Sequence, residues 1–269
     1  MAEFWSRLSE TVAYLSERGT LGVSVIGPDG SRWSHHGQRR FRAASTVKIA
    51  IMIEIFRQID AGTLSLEDAY TLADEDRTGG SGVLMHMSTG AQINRADLLY
   101  LMISISDNHA TNVLIRDAGI ERINATMQDI GMSRSNLSRI MRGRPAQDDE
   151  QENFSASDDY VTAVQGILDG TVASATSCEA MTRLMEQQQN RRRLARFLPS
   201  DREVRFGSKT GSNAGVTNDV GFVIGPNGRL IIAVYTEGFA DSVSGEAAIG
   251  EVARAAFADS GVVSPVYTS

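Results

Sequence analysis

The chain has 269 residues, of which 42% are hydrophobic, and a formal net charge of -7. That length fits one large or two small domains with an ample core. The acidic balance argues against nucleic acid as a partner. No apolar run approaches the ~18 residues of a membrane-spanning helix. A single cysteine, Cys178, excludes an intrachain disulfide and a cysteine-based metal site. The four histidines, including the adjacent His35 and His36, show no ligand spacing. No metal or cofactor is expected, and the chain is expected to be a monomer. Its start, Met1 to Arg7, lacks the basic residues and apolar stretch of an export signal. Retention in the cytoplasm and prior removal of a leader both fit.

Phe4, Leu8, Val12 and Leu15 mark one face of an amphipathic helix, and Gly19 is a natural stop. Leu21 to Gly27 and Ser31 to His36 read as two strands around the turn Pro28-Asp29-Gly30. From Thr46 to about Asn190 the pattern is helical. Asn94 caps a helix through Ile105, and further helices follow over His109 to Ala118 and Ile120 to Ile130. The stretch Ser133 to Asn153 is polar and aperiodic, which predicts a long functional loop between helices. Ser157-Asp158-Asp159 should cap the next helix, and Thr176 to Gln189 forms one more. Strands return at Glu203 to Ser208, Asn218 to Ile224 and Arg229 to Thr236, and Gly245 to Ala258 is a final helix. Strands at both ends with helices between predict an α/β (α+β) fold. Its antiparallel sheet would be built from both chain ends and covered by the terminal helices. The division places residues 1–44 and 195–269 in the sheet domain and residues 45–194 in an inserted all-helical domain.

The chemistry points to Ser45-Thr46-Val47-Lys48, which runs into the apolar stretch Ile49 to Ile53. Positions three apart share a helix face, so Lys48 Nζ is predicted to reach Ser45 Oγ. A serine hydroxyl needs a neighbouring base to become a nucleophile. A lysine buried against an apolar helix loses its charge readily and can be that base. Backbone N–H groups at the helix start can hold an oxyanion. Alone, the spacing also describes a helix cap followed by a surface lysine. The lysine count argues otherwise: Lys48 and Lys209 are the only lysines among 26 basic residues. Arginine, which cannot act as a base, serves everywhere else.

The second lysine opens Lys209-Thr210-Gly211, and between the two lies Ser106-Asp107-Asn108. S-x-x-K, S-D-N and K-T-G in that order form the signature of class A β-lactamases and penicillin-binding proteins. Over nearly its whole length the chain resembles the class A β-lactamase branch of these serine hydrolases. The resemblance implies a β-lactamase-like fold and an acyl-enzyme at Ser45, with Lys48 as base or shuttle. It further implies that Ser106 relays a proton to the leaving nitrogen and that Asn108 binds the substrate's amide carbonyl and Lys48. Lys209 would hold Ser106 in register and attract a substrate carboxylate, with Thr210, Gly211 and Ser212 forming the rest of that subsite. The backbone N–H groups of Ser45 and Ser212 would make the oxyanion hole. Asp107 reads as structural. Relatives are usually exported.

The chain also departs from the family. Class A β-lactamases carry a Glu-x-x-Leu-Asn element in the long loop, and its glutamate activates the deacylating water. The loop here, Arg139 to Asn153, has no such element and is a few residues short. Its carboxylates Asp148, Asp149, Glu150 and Glu152 read as a solvated acidic turn or as a substitute base. Thr78 to Val83 holds no aromatic where many lactamases place one, and no arginine follows Lys209 in the usual region. Three functions are then distinguished. The first is a serine acyl hydrolase of small amides, lactams, esters or peptides, with slow deacylation. The second is a true β-lactamase using a substitute carboxylate. The third is a sensor that stays acylated.

Overall fold

A computed structural model describes residues 4–200 and 203–264. Met1 to Glu3, part of the start considered above, lie outside the described residues. The chain opens with α1 (Ser6–Ser16), β1 (Thr20–Ile26), β2 (Arg32–His35) and β3 (Phe41–Arg42). A 3-10 turn, Ala44–Val47, leads directly into α2 (Lys48–Asp60). Next come β4 (Ala69–Thr71), β5 (Gln92–Asn94), α3 (Arg95–Ser104), α4 (Asn108–Ala118) and α5 (Ile120–Asp129). The long loop ends at β6 (Phe154–Ser155), followed by α6 (Ser157–Asp169) and α7 (Ala175–Glu186). The chain closes with β7 (Arg205–Asn213), β8 (Val216–Gly225), β9 (Gly228–Glu237) and α8 (Ser242–Ser260).

The main sheet has the order β2-β1-β9-β8-β7, and every neighbouring pair is antiparallel. The two chain ends meet in it, Thr20 pairing Glu237 and Ile26 pairing Ile231. Alternation along β9 sends successive side chains to opposite faces. Ile232 and Val234 join Leu8 and Val12 of α1 and Val252 of α8 in one core. Ile231, Ala233 and Tyr235 join Ile49, Ile51 and Tyr160 in the other. Both faces are therefore covered, which is why β9 reads as a continuous apolar run. Helix α2 is buried almost all round, as its unbroken apolar sequence requires. Its one buried carboxylate, Glu54, accepts from Gln58 Nε2 at 2.7 Å and Thr126 Oγ1 at 2.6 Å.

The predicted elements stand, with three differences. Helix α6 is preceded by Ala156 and has no side-chain cap. Ser157, Asp158 and Asp159 lie inside its first turn. Ser157 and Asp158 instead bond Ser24, while Asp159 accepts from Arg134 N and Ser135 Oγ. Strand β7 continues through Lys209-Thr210-Gly211 to Asn213, so the triplet is mid-strand. The strands β3 to β6 are two or three residues long, too short for a period to show. Asn94 does cap α3, accepting from Asp97 N at 2.7 Å.

Candidate active site

The 3-10 turn ahead of α2 sets Ser45 in a strained position. Ala44 holds φ +46°, a left-handed value rare for a residue with a Cβ. Ser45 is 8% exposed and lines two cavities, of about 380 and 520 Å³, that meet at it. Strand β7 is the sheet edge facing this turn. A Cβ at Gly211 would lie 3.0 Å from the Ala43 carbonyl oxygen and 3.1 Å from the Ser45 and Thr46 nitrogens. Glycine there lets the strand press against the Ser45 backbone.

Lys48 is fully buried, one turn along from Ser45. Its Nζ donates to the Ser106 carbonyl at 2.8 Å, Asn108 Oδ1 at 2.9 Å and Ser106 Oγ at 3.1 Å. The predicted hydrogen bond from Lys48 to Ser45 is not among those of the described residues. The amine is drawn across the cleft by these acceptors instead. Burial pushes the Lys48 amine well below its ordinary range; Lys209 adds to this and Asp107 opposes it. A neutral amine suits this shell. It can donate to the two carbonyl-type oxygens and accept from the Ser106 hydroxyl.

Ser106 also holds a left-handed backbone, φ +62°. The turn is anchored by Asp107, which caps α4 through Ala110 N at 3.0 Å. The other carboxylate oxygen of Asp107 accepts from Val83 N at 2.7 Å and Leu84 N at 3.0 Å. Asn108 Nδ2 donates to the Gly79 carbonyl at 3.0 Å, which orients its amide so that Oδ1 meets Lys48. Asp107 thus ties the Ser106 turn and the start of α4 to the Val83-Leu84 segment, in keeping with a structural part.

Lys209 is equally buried, and its Nζ donates to the Thr210 carbonyl at 2.8 Å. Among the described residues no hydrogen bond joins Lys209 to Ser106, contrary to the register expected from the motif. The ammonium turns back on its own strand. Burial pushes its amine down to about 7, with Asp219 opposing and Arg193 assisting. Asp219 is pushed up by the same burial.

Arg193 belongs to none of the three motifs. It is 3% exposed and reaches β7 from the segment before that strand. It donates to the Gly211 carbonyl at 2.9 Å, the Asn218 carbonyl at 2.7 Å and Ser212 Oγ, and pairs with Glu246 at 3.1 Å. Its only trace in the sequence is the run Arg191-Arg192-Arg193, which does not tell which arginine turns inward.

The loop from Ser133 to Asn153 roofs the smaller cavity. Its lining includes Met141, Arg142, Arg144 and Glu152. Met141 is pinned by its backbone: its N donates to Asn112 Oδ1 at 2.8 Å, and its carbonyl accepts from Asn112 Nδ2 at 2.9 Å and Thr78 Oγ1 at 3.1 Å. The four loop carboxylates differ sharply. Asp148 and Asp149 are exposed and do not line the cavity. Glu150 is gripped by Arg144 at 2.6 and 2.9 Å, which holds its carboxyl far down, at about 2. Glu152 lines the cavity but pairs with Arg139 at 3.0 Å and accepts from the Ala146 and Asn153 N–H groups.

The sequence matches the model of the β-lactamase enzyme family over residues 4–259. The chain belongs to that family. Its fold superposes on the crystal structure of a β-lactamase from Sphaerobacter thermophilus with a TM-score of 0.94, at 47% identity, covering 96% of this chain and 98% of that one. A mutant of a class A β-lactamase reconstructed as the last common ancestor of Gram-negative bacteria gives 0.86 at 28% identity, covering 94% and 98%. A β-lactamase of Rhodobacter capsulatus is 34% identical over 137 residues, 49% of this chain; the match spans about half (46%) of that enzyme. The chain is a class A β-lactamase-like serine hydrolase.

Proposed function

We propose that Ser45 is the nucleophile and that the protein takes a small-molecule or peptide acyl substrate, such as a β-lactam. Lys48 removes the Ser45 proton, directly or through the Ser106 hydroxyl, as Oγ bonds the substrate carbonyl carbon. The carbonyl oxygen becomes an oxyanion held by the Ser45 and Ser212 backbone N–H groups; losing one such donor typically costs ~10²–10³ in rate. Collapse breaks the C–N bond; Ser106 hands its proton to the leaving nitrogen and takes in return the proton that Lys48 carries, which restores both groups. Asn108 holds the acyl amide. Lys209, Thr210 and Ser212 hold a carboxylate on the leaving side, with Arg193 steadying Ser212. The observation that carries this reading is Lys48: a fully buried amine bonded to Ser106 and Asn108, one turn from a serine open to the cleft.

Deacylation is slow in this reading. It requires a carboxylate free to take a proton from water beside the ester, and the cavity-lining Glu152 is committed to Arg139 and two N–H groups. A β-lactamase with Glu152 as substitute base is the competing reading, favoured only by that side chain's place in the lining. Intact mass against time with a penicillin, followed by peptide mapping, tests both. The expected result is one adduct on Ser45 that decays slowly. An adduct elsewhere with Ser45 free overturns the nucleophile; rapid clearance of a Ser45 adduct overturns slow deacylation.

A further inference from the structure

We infer that the acyl side of the cleft selects substrates whose acyl group carries its own carboxylate, and that Arg142 recognises it. The inference rests on the proposed acylation of Ser45. The smaller cavity joins Ser45 and Asn108 to the loop, so it is the side where the acyl group of a substrate would lie. Three arginines line it, Arg139, Arg142 and Arg144, against one lining carboxylate, Glu152.

Pairing settles which of these cations remains available. Arg139 is matched by Glu152 at 3.0 Å, and both side chains are nearly buried. Arg144 is matched by Glu150 through two hydrogen bonds, 2.6 and 2.9 Å. That two-pronged geometry uses both carboxylate oxygens and fixes both partners. Arg142 is the third cation on these two carboxylates. Its closest approach to Glu150 is through Nε, at 3.2 Å, with no hydrogen bond between them among the described residues, and its side chain is half exposed. Its terminal Nη groups have no partner among the described residues. Asp148 and Asp149 lie on the outer turn, away from the lining.

The same excess recurs at the opposite end. There Arg192 and Arg193 share Glu246, at 3.4 and 3.1 Å, and the buried Asp219 stands against Arg193 and Lys209, leaving three cations to two carboxyl groups. A cleft with a surplus cation at each end, on a protein of net charge -7, is built for a ligand anionic at both ends. The leaving-side carboxylate is part of the proposed function. The acyl-side carboxylate is the new element, and Arg142 is a specificity-determining residue for it.

The test compares two penicillins of nearly equal size: one with a phenylacetyl side chain, the other with the same group bearing an α-carboxylate. The second-order rate of Ser45 acylation is measured for each at low salt. The carboxylate-bearing compound is expected to react faster, by up to about fivefold, the range of a partly exposed ion pair. High salt should shrink that ratio, since exposed charges are screened. Arg142→Gln should bring it close to one, and Arg142→Lys should preserve most of it. Equal rates for the two compounds, or a ratio unmoved by Arg142→Gln, overturn the inference and leave the Ser45 reading intact. If neither compound labels Ser45, the underlying reading falls and the inference with it.

Discussion

Two regions of the cleft carry charged groups close to Ser45, and they treat them in opposite ways. Around Lys48 an amine is fully buried and hydrogen-bonded only to neutral groups, with Asp107 and Lys209 nearby but not bonded to it. Burial there makes the group reactive by destabilising its charged form. In the loop over residues 139–153, acidic side chains are abundant, yet Glu150 and Glu152 are clamped by arginine. Arg144 stabilises the charged form of Glu150, holding its carboxyl at about 2, and Arg139 ties up Glu152 by geometry. In the proposed mechanism the first region supplies the base for acylation. The second is prepared to hold a roof.

The strongest way to break this comparison is at Lys48. Lys48→Arg keeps a cation and removes the base, because a guanidinium does not deprotonate. Acylation by penicillin should fall ~10²–10⁴-fold, the worth of a placed general base. Circular dichroism should report a retained fold. Near-normal labelling would mean that the site needs only a charge there, and the contrast between the regions would disappear.

The comparison sharpens at Met141. This residue lines the Ser45 cavity, and its backbone is held by Asn112 and Thr78. Met141→Glu swaps one unbranched side chain for another and adds a carboxylate where Glu150 and Glu152 already occupy Arg144 and Arg139. Decay of the Ser45 adduct, followed by intact mass, should accelerate by about 10². An unchanged lifetime would show that the roof faces away from the acyl carbonyl, or that Arg142 captures the new carboxylate.

The ordered triple of motifs made the amine, the serine and the edge strand legible, because the motifs contain both lysines of the chain. The sheet was legible too, since its strands are long and bounded by turn residues. What lay hidden depended on direction rather than composition. Lys48 turns to Ser106 and not to Ser45, Lys209 turns to its own strand, and Arg193 turns inward beside two outward neighbours. Residue spacing sets which groups are near; the acceptors available after folding set which one each donor chooses. The loop was similarly opaque: four acids in five positions read alike, and only pairing with distant arginines separates them.

The smallest effects are expected from those acids, and they divide the two readings of deacylation. Asp148→Ala and Asp149→Ala remove exposed charges that do not line the cavity, so the adduct lifetime should stay within about twofold, as for surface charges of little energetic worth. Glu152 needs a subtler change. Alanine there would leave Arg139 without its partner in a nearly buried site, costing about 3 kcal/mol of stability and confusing structure with chemistry. Glu152→Gln keeps an oxygen for Arg139 and for the Ala146 and Asn153 N–H groups while removing basicity. If Glu152 is only a clamp, the adduct should decay at nearly the original rate, with a modest fall in melting temperature from the weakened ion pair. If Glu152 is the base, the same variant should lengthen the adduct's life by ~10² or more, with the same modest fall in melting temperature. Adduct lifetime therefore separates the two readings, and an unchanged lifetime agrees with a loop in which Glu150 and Glu152 are matched to arginines.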